Sequence, residues 1–328
     1  MTKKITVIGG AGFVGTNLCR QLALKQQAFE IIDLKLSKQF PDKSKIADVR
    51  NAESLRETIT GDIVVNLAAV HRDDIRDKSE YWRTNVVGAE NIAAVCSEKG
   101  IKKIVFTSTV AVYGFAQPGT NEGGVIAPFN EYGRTKFEAE QKLRNWQNGL
   151  DHSLLIVRPT VIFGEGNRGN VYNLLSQIAS GRFVMVGGGQ NRKSIAYIGN
   201  VVAFLETCIA TDQQLGVYNY VDTPDLTMNE LVSQVRDKLG KRGVGIRLPR
   251  WLGMVLGHAA DALARLSGQN LPVSSIRVKK FTTSTEFGTA KTQLDSFEAP
   301  FDLEDGIDRT LNSEFLFPQP NREIFYTE

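Results

Sequence analysis

Short apolar runs alternate with longer amphipathic stretches through the first half of the chain. Ile5–Ile8, Phe29–Asp33, Ile63–Leu67, Ile104–Ser108 and Leu154–Arg158 are nearly continuous in apolar character and rich in β-branched residues. Strands read this way when both faces are buried, as in parallel sheets covered by helices. Between them, Val14–Lys25, Ala52–Ile59, Tyr81–Lys99 and Tyr132–Gln147 predict helices. Such alternation implies right-handed crossovers and an α/β fold built on an open, doubly wound parallel sheet.

After Pro159 the pattern becomes irregular, with glycine turns at Gly164–Gly169 and Gly187–Gly189. The expectation is a sheet domain over residues 1–165 that regains the chain at 195–210. A smaller α/β lobe from 166–194 and 211–328 is interleaved with it, beside the carboxyl edge of the sheet. Ligands of open α/β sheets bind at that edge.

Composition narrows the classes. Of 328 residues, 42% are hydrophobic, and 39 Lys plus Arg against 36 Asp plus Glu leave a net charge of +3. So small an excess gives no footprint for nucleic acid. Cys19, Cys96 and Cys208 are too scattered for a disulfide scaffold and suit the apolar core of a protein in a reducing cytoplasm. His71, His152 and His258 are equally scattered, so no metal centre is expected. No apolar run approaches the roughly 18 residues that span a bilayer, and Ile5–Ile8 is too short for the core of a signal peptide.

Gly9, Gly12 and Gly15 follow the first strand and open a helix, in the spacing GxxGxxG, with Phe13 and Val14 inside the motif. Glycines there permit a tight turn, close approach of backbone N–H groups to a diphosphate, and packing of helix on strand. The next strand ends in Asp33, placed to accept hydrogen bonds from adenosine ribose hydroxyls. A carboxylate at that position repels a 2′-phosphate, so a Rossmann-type site for NAD is expected rather than one for NADP. Asp48 and Val49 follow the third strand region and are placed either for the adenine ring or in an ordinary loop.

Tyr132 and Lys136 stand four apart on a predicted helix and share a face. An ammonium near a phenol favours the phenolate, which serves as a base near neutral pH. Thr107, Ser108 and Thr109 end a neighbouring strand, where a hydroxyl can meet the reacting oxygen. Strand-end hydroxyls, YxxxK and the glycine motif together point to hydride chemistry.

In these residues the chain resembles the extended short-chain dehydrogenase/reductases, the NAD-dependent sugar epimerase/dehydratase family. The resemblance includes Asn66-Leu67-Ala68-Ala69, Asn85-Val86-Val87-Gly88, Thr109 before Tyr113-Gly114, and Arg158-Pro159-Thr160, and covers essentially the whole chain. It implies Tyr132 as base, Lys136 on the nicotinamide ribose and Thr109 on the sugar 4-hydroxyl. It further implies Leu67, Ala68, Ala69, Asn85, Thr107 and Pro159 along the cofactor, and Ser108 beside the substrate. The motif's usual leading threonine is Ile8 here. Sugar dehydratases of the family place Asp and Glu directly after the threonine. Val110 and Ala111 occupy those positions and cannot move protons, so 4-epimerisation through a 4-keto sugar is expected.

A narrower resemblance lies in Ala69–Asp74, Gly166–Leu175, Lys193-Ser194 before Ala196-Tyr197, and Val273–Phe281. These look like epimerases of bacterial O-antigen clusters, which interconvert GlcNAc- and GalNAc-diphospho-undecaprenol. The resemblance implies substrate contacts at Asn170 and at Lys193, which stands where the family often has an arginine for the diphosphate. Asn200 stands where an aspartate is common. His71 follows a strand end, and the nicotinamide side, the sugar pocket and a solvated loop all remain open for it. The same chemistry on a soluble UDP-GlcNAc or UDP-glucose is the alternative, and a non-catalytic NAD-sensing protein a further one. The family also implies a homodimer formed through Tyr81–Lys99 and Tyr132–Gln147.

A lipid-linked substrate lies on the cytoplasmic leaflet of the inner membrane. Pro249–Gly268 carries Trp251, Leu252, Val255, Leu256, Ala259, Leu263 and Leu266 at helical spacing, with Arg247, Arg250, Arg265, Arg277, Lys279 and Lys280 nearby. Such a stripe fits packing against the small lobe or peripheral contact with anionic lipid.

Overall fold

The computed structural model describes residues 3–72, 75–148, 151–267, 274–289, 294 and 297–327. Six strands come first: β1 (Ile5–Ile8), β2 (Phe29–Asp33), β3 (Ser44–Ile46), β4 (Ile63–Asn66), β5 (Lys103–Thr107) and β6 (Ser153–Pro159). Then follow β7 (Val161–Phe163), β8 (Asn167–Arg168), β9 (Val184–Val186), β10 (Ile195–Tyr197), β11 (Leu215–Tyr220), β12 (Ile246–Leu248) and β13 (Phe325–Tyr326). One seven-stranded sheet has the order β11-β6-β5-β4-β1-β2-β3, and its pairs are all parallel. The helices Phe13–Leu24, Ala52–Thr58 and Glu131–Gln147 lie within a residue or so of their expected bounds. The helix expected over Tyr81–Lys99 starts at Ser79 and widens into a π turn at Trp82–Val87.

Both faces of the sheet are covered, which is why its strands read as continuous apolar runs. Ile5, Val7, Val65, Val105 and Leu155 join one core with the helices Phe13–Leu24 and Ile198–Ala210. Ile8, Ile32, Val64, Ile104 and Ile156 join another with Ile92, Ala139 and Leu143. Cys19, Cys96 and Cys208 are buried, and burial pushes the thiols of Cys19 and Cys96 up to about 12. The strand order reverses between β1 and β4, so their carboxyl ends open a crevice at the switch point.

The return to the sheet differs from expectation. Within 195–210, β10 pairs with β7 in a separate two-stranded sheet, and Ile198–Ala210 is a helix packed on the main one. The strand that completes the main sheet is β11, which extends that domain to Tyr220. As an edge strand β11 keeps polar positions and a 40% exposed Leu215, so it lacks the continuous apolar signature of the inner strands.

The helix Arg250–Ser267 docks through glycine, not through its apolar stripe. A Cβ on Gly253 would lie 2.5 Å from Val186 Cγ1, and one on Gly257 would lie 2.8 Å from Ser275 Cα. The other side exposes Trp251 (68%), Val255, Leu256 and Leu263. Asp73, Asp74, residues 268–273 and the side chains of Arg265, Leu266, Arg277 and Lys280 lie outside the described part.

Candidate active site

The crevice begins at the glycine turn. Gly9 has φ +80°, and a Cβ there would lie 2.8 Å from the Ala68 nitrogen. A Cβ on Gly15 would lie 2.5 Å from both Gly10 Cα and Gly9 O, so the turn closes only with glycine. Gly12 caps the helix Phe13–Leu24 without any side-chain hydrogen bond, and its first turn holds no acid. Phe13 is buried, and Val14 half-buried, beneath the turn. Uncapped N–H groups and the helix dipole favour an anion here. Asp33 Oδ2 accepts from the Ala11 N–H at 3.0 Å, so the expected ribose acceptor also braces the turn.

Asp48 is differently employed. Arg50 Nε donates to both its oxygens at 3.0 and 2.9 Å, and this pairing holds its carboxyl below the usual range. Val49 is buried, with room for it made by Gly88, where a Cβ would lie 2.8 Å from Val49 Cγ2. After β4, Asn66 Oδ1 accepts from the Ala68 N–H at 3.1 Å, which fixes Leu67, Ala68 and Ala69 along the crevice wall. Asn85 is a brace: its Oδ1 accepts from Val70 N at 2.9 Å, and its Nδ2 donates to Val70 O and Thr135 Oγ1, both at 3.0 Å. That amide joins the loop after β4 to the tyrosine-bearing helix.

The chemistry-bearing groups converge at the ends of β5 and β6. Thr107 Oγ1 and Ser108 Oγ are buried without a hydrogen-bond partner among the described residues, an arrangement suited to ligand hydroxyls. Thr109, 8% exposed, accepts from Ala111 N at 3.1 Å through Oγ1, and its side chain favours the ionised form of the nearby Tyr132 phenol. Two features bring Tyr132 to it. Asn130 Oδ1 accepts from Gly133 N at 2.9 Å to start the helix Glu131–Gln147, and Gly133 lets that helix press against Ala111, where a Cβ would lie 2.5 Å from its oxygen. Pro159 ends β6 alongside, buried.

Protonation differs from the simple expectation of a phenolate favoured by its lysine. Burial pushes the Tyr132 phenol up to about 12, with the Thr109 side chain pulling the other way. Burial also pushes Lys136 down to about 7, opposed by the Glu140 carboxylate. Lys136 is 1% exposed, its ammonium 4.1 Å from the centre of the Phe106 ring. Burial thus opposes the pairing that helix spacing alone implies, and the Glu140 carboxylate works to keep Lys136 protonated.

The His71 ring meets the Tyr132 ring near edge-on, centroids 6.4 Å apart, and contacts the backbone of Ala69 and Thr327. His71 stays exposed, and the protein atoms packed around its imidazole are the main cause of its lowered pKa. Asn170 and Lys193 belong to the smaller lobe. Asn170 is exposed at the start of the helix Asn170–Ala179. Lys193 Nζ donates to the Thr283 carbonyl, and burial pushes it down to about 8.

Glu140, Arg158 and Tyr113 form a buried polar network behind Lys136 that motif reading did not assign. Its signals were a charge inside the apolar run of β6 and an acid one helical turn past Lys136. The uncapped glycine turn, Asp33 and the orphan hydroxyls of Thr107 and Ser108 fit a dinucleotide along this crevice.

A family model described as NAD dependent epimerase/dehydratase family matches residues 5–220. Over 334 residues, covering all of both chains, the sequence is 44% identical to N-acetyl-alpha-D-glucosaminyl-diphospho-ditrans,octacis-undecaprenol 4-epimerase of Escherichia coli O157:H7. It is 27% identical to UDP-glucose 4-epimerase of Vibrio cholerae, over 82% of this chain and 86% of that one. UDP-N-acetylglucosamine 4-epimerase from Bacillus cereus has the same fold, with TM-score 0.75 at 17% identity, covering 94% of this chain and 98% of that one. A Bordetella bronchiseptica enzyme solved with NAD and UDP gives TM-score 0.73 at 19% identity, covering 99% and 97%.

Proposed function

The chain belongs to the NAD dependent epimerase/dehydratase family, and on that premise we propose that it interconverts GlcNAc- and GalNAc-diphospho-undecaprenol. The observation that carries this reading is full-length similarity, at 44% identity, to an epimerase of that name, joined to the Thr109–Tyr132–Lys136 arrangement. NAD, when bound, supplies the acceptor and donor of hydride at the sugar's carbon 4. Tyr132 takes the proton of the 4-hydroxyl and returns it after the 4-keto sugar has presented its other face. Thr109 orients that oxygen, and Lys136 supplies positive charge beside the phenol. Val110 and Ala111 carry no proton-transferring group, which supports epimerisation over dehydration.

Gly9, Gly12, Gly15 and the helix they open hold the diphosphate of NAD, Asp33 its adenosine ribose, and Thr107 and Lys136 its nicotinamide end. Ser108, His71, Asn170 and Lys193 face the sugar and its diphosphate. The enzyme works as a homodimer through the helices Gly88–Glu98 and Glu131–Gln147, in O-antigen or other surface-polysaccharide synthesis.

The exposed stripe of Arg250–Ser267, flanked by exposed Arg247, Arg250 and Lys279, supports peripheral docking on the cytoplasmic face of the inner membrane. No helix among the described residues is long and apolar enough to cross a membrane. A side-by-side assay of UDP-GlcNAc and GlcNAc-diphospho-undecaprenol tests the choice of substrate. GalNAc formed from the lipid-linked sugar supports this reading, whereas turnover of the nucleotide sugar alone replaces it with a soluble UDP-sugar epimerase.

A further inference from the structure

The helix Glu131–Gln147 buries two opposite charges one turn apart: Lys136 is 1% exposed and Glu140 0%. Side chains at that spacing are neighbours on one face. Glu140 is gripped from another element. Arg158, in β6 and 3% exposed, donates from Nε to Oε1 at 2.9 Å and from Nη2 to Oε2 at 2.5 Å. The same guanidinium donates to the Tyr113 hydroxyl at 2.7 Å, which in turn donates to Asn219 Oδ1 at 2.8 Å. A two-pronged grip of this kind fixes position as well as charge.

The groups facing Lys136 come from several elements. The Phe106 ring faces it from β5, Arg158 stands behind Glu140 from β6, and His71, in the loop after β4, feels the lysine's charge. Tyr132 and Glu140 stand one turn to either side of it on its own helix. Among these the counter-charge is Glu140, whose attraction opposes the burial that strips water from the ammonium. An ammonium favours a neighbouring phenolate only while it keeps its proton. Whatever holds that proton on Lys136 therefore governs Tyr132.

We propose that Glu140, held by the Arg158 fork, is a positioning residue that keeps Lys136 cationic and so sets the pH at which Tyr132 gives up its proton. The inference rests on Tyr132 being the base. The test titrates the near-ultraviolet phenolate absorbance of the NAD-loaded protein, with the same chain carrying Tyr132→Phe as the blank that isolates the Tyr132 step. In Glu140→Gln that step moves up by about one pH unit or more. The acid limb of kcat moves with it, and KM stays unchanged. Glu140→Asp keeps the charge and returns the step towards the parent's.

Glu140→Gln leaves a buried guanidinium without its carboxylate, which can defeat folding. The double variant Glu140→Gln/Arg158→Met removes both charges together and gives the same displaced step. A step that stays at the parent's pH in either folded variant overturns the inference about Glu140 alone. A parent chain with no Tyr132-dependent step overturns it together with the assignment of the base.

Discussion

The Thr109 side chain stands by the Tyr132 phenol, across the gap between the end of β5 and the helix Glu131–Gln147. Among the influences acting on the phenol, this side chain opposes burial. Thr109→Val removes its hydroxyl at nearly constant volume and lowers kcat about 10²-fold, whereas Thr109→Ser retains most of the rate. Tyr132→Phe removes the proton carrier itself and lowers kcat by about 10²- to 10⁴-fold. Single-turnover kinetics, with circular dichroism to establish folding, check both.

Lys136 gives a stability prediction whose sign follows from its burial. Its pKa lies near 7 in the folded chain against 10.5 when unperturbed. Between those values the unfolded chain binds a proton that the folded chain does not, so stability rises with pH across that window. Below about 7 the burial penalty is present in full. Lys136→Met removes the penalty, flattens that rise and raises the melting temperature at pH 7, while epimerisation is lost. Denaturation of parent and variant at pH 7 and above pH 9 measures the difference.

Asn200 is buried and donates to Asp222 Oδ1 at 3.0 Å, while its backbone-directed contacts meet both the N–H and C=O of Phe301. Asp222 already accepts from the Tyr197 N–H and Tyr220 hydroxyl, yet burial keeps its carboxyl raised. Asn200→Asp sets a second carboxyl against the first and costs about 1–3 kcal/mol at neutral pH. One of the two carboxyls is protonated as pH falls, so the deficit shrinks in acid. Chemical denaturation at pH 7 and pH 5 reads this. An Asn200→Asp variant as stable as the parent at both pH values contradicts the account of this pair.

The apolar stripe of Arg250–Ser267 predicts attachment to anionic vesicles. Trp251→Glu combined with Leu256→Glu replaces two exposed side chains, so folding and activity on a detergent-dispersed substrate persist. Vesicle sedimentation is lost. Undiminished sedimentation of this variant removes the helix from membrane docking.

Much of the fold was legible because inner parallel strands bury both faces. Ile5–Ile8, Phe29–Asp33 and the core of β6 therefore stand out as apolar runs. The edge strand β11 carries no such signal, since Tyr218 and Asn219 serve neighbours outside a uniform core. Short strands such as β13 are fixed by distant partners: Phe325 packs against Phe13, and Thr327 reaches Asn167, so only the assembled chain reveals them. At the site, Gly15 and Tyr132 were legible by spacing. The engagement of Asp48 by Arg50 and of Asn85 by Val70 was not, because a spacing pattern cannot say which neighbour a polar side chain chooses. The apolar stripe of Arg250–Ser267 fitted burial or exposure equally well, and the glycine face at Gly253 and Gly257 decided it.

The central claim is that hydride leaves and returns to one sugar carbon while Tyr132 moves the hydroxyl proton. GlcNAc-diphospho-undecaprenol deuterated at carbon 4 tests it most directly when the NAD-loaded enzyme turns it over in ordinary water. The account predicts that the GalNAc product keeps its deuterium at carbon 4. Loss of that label to solvent, or its appearance at another carbon, contradicts it.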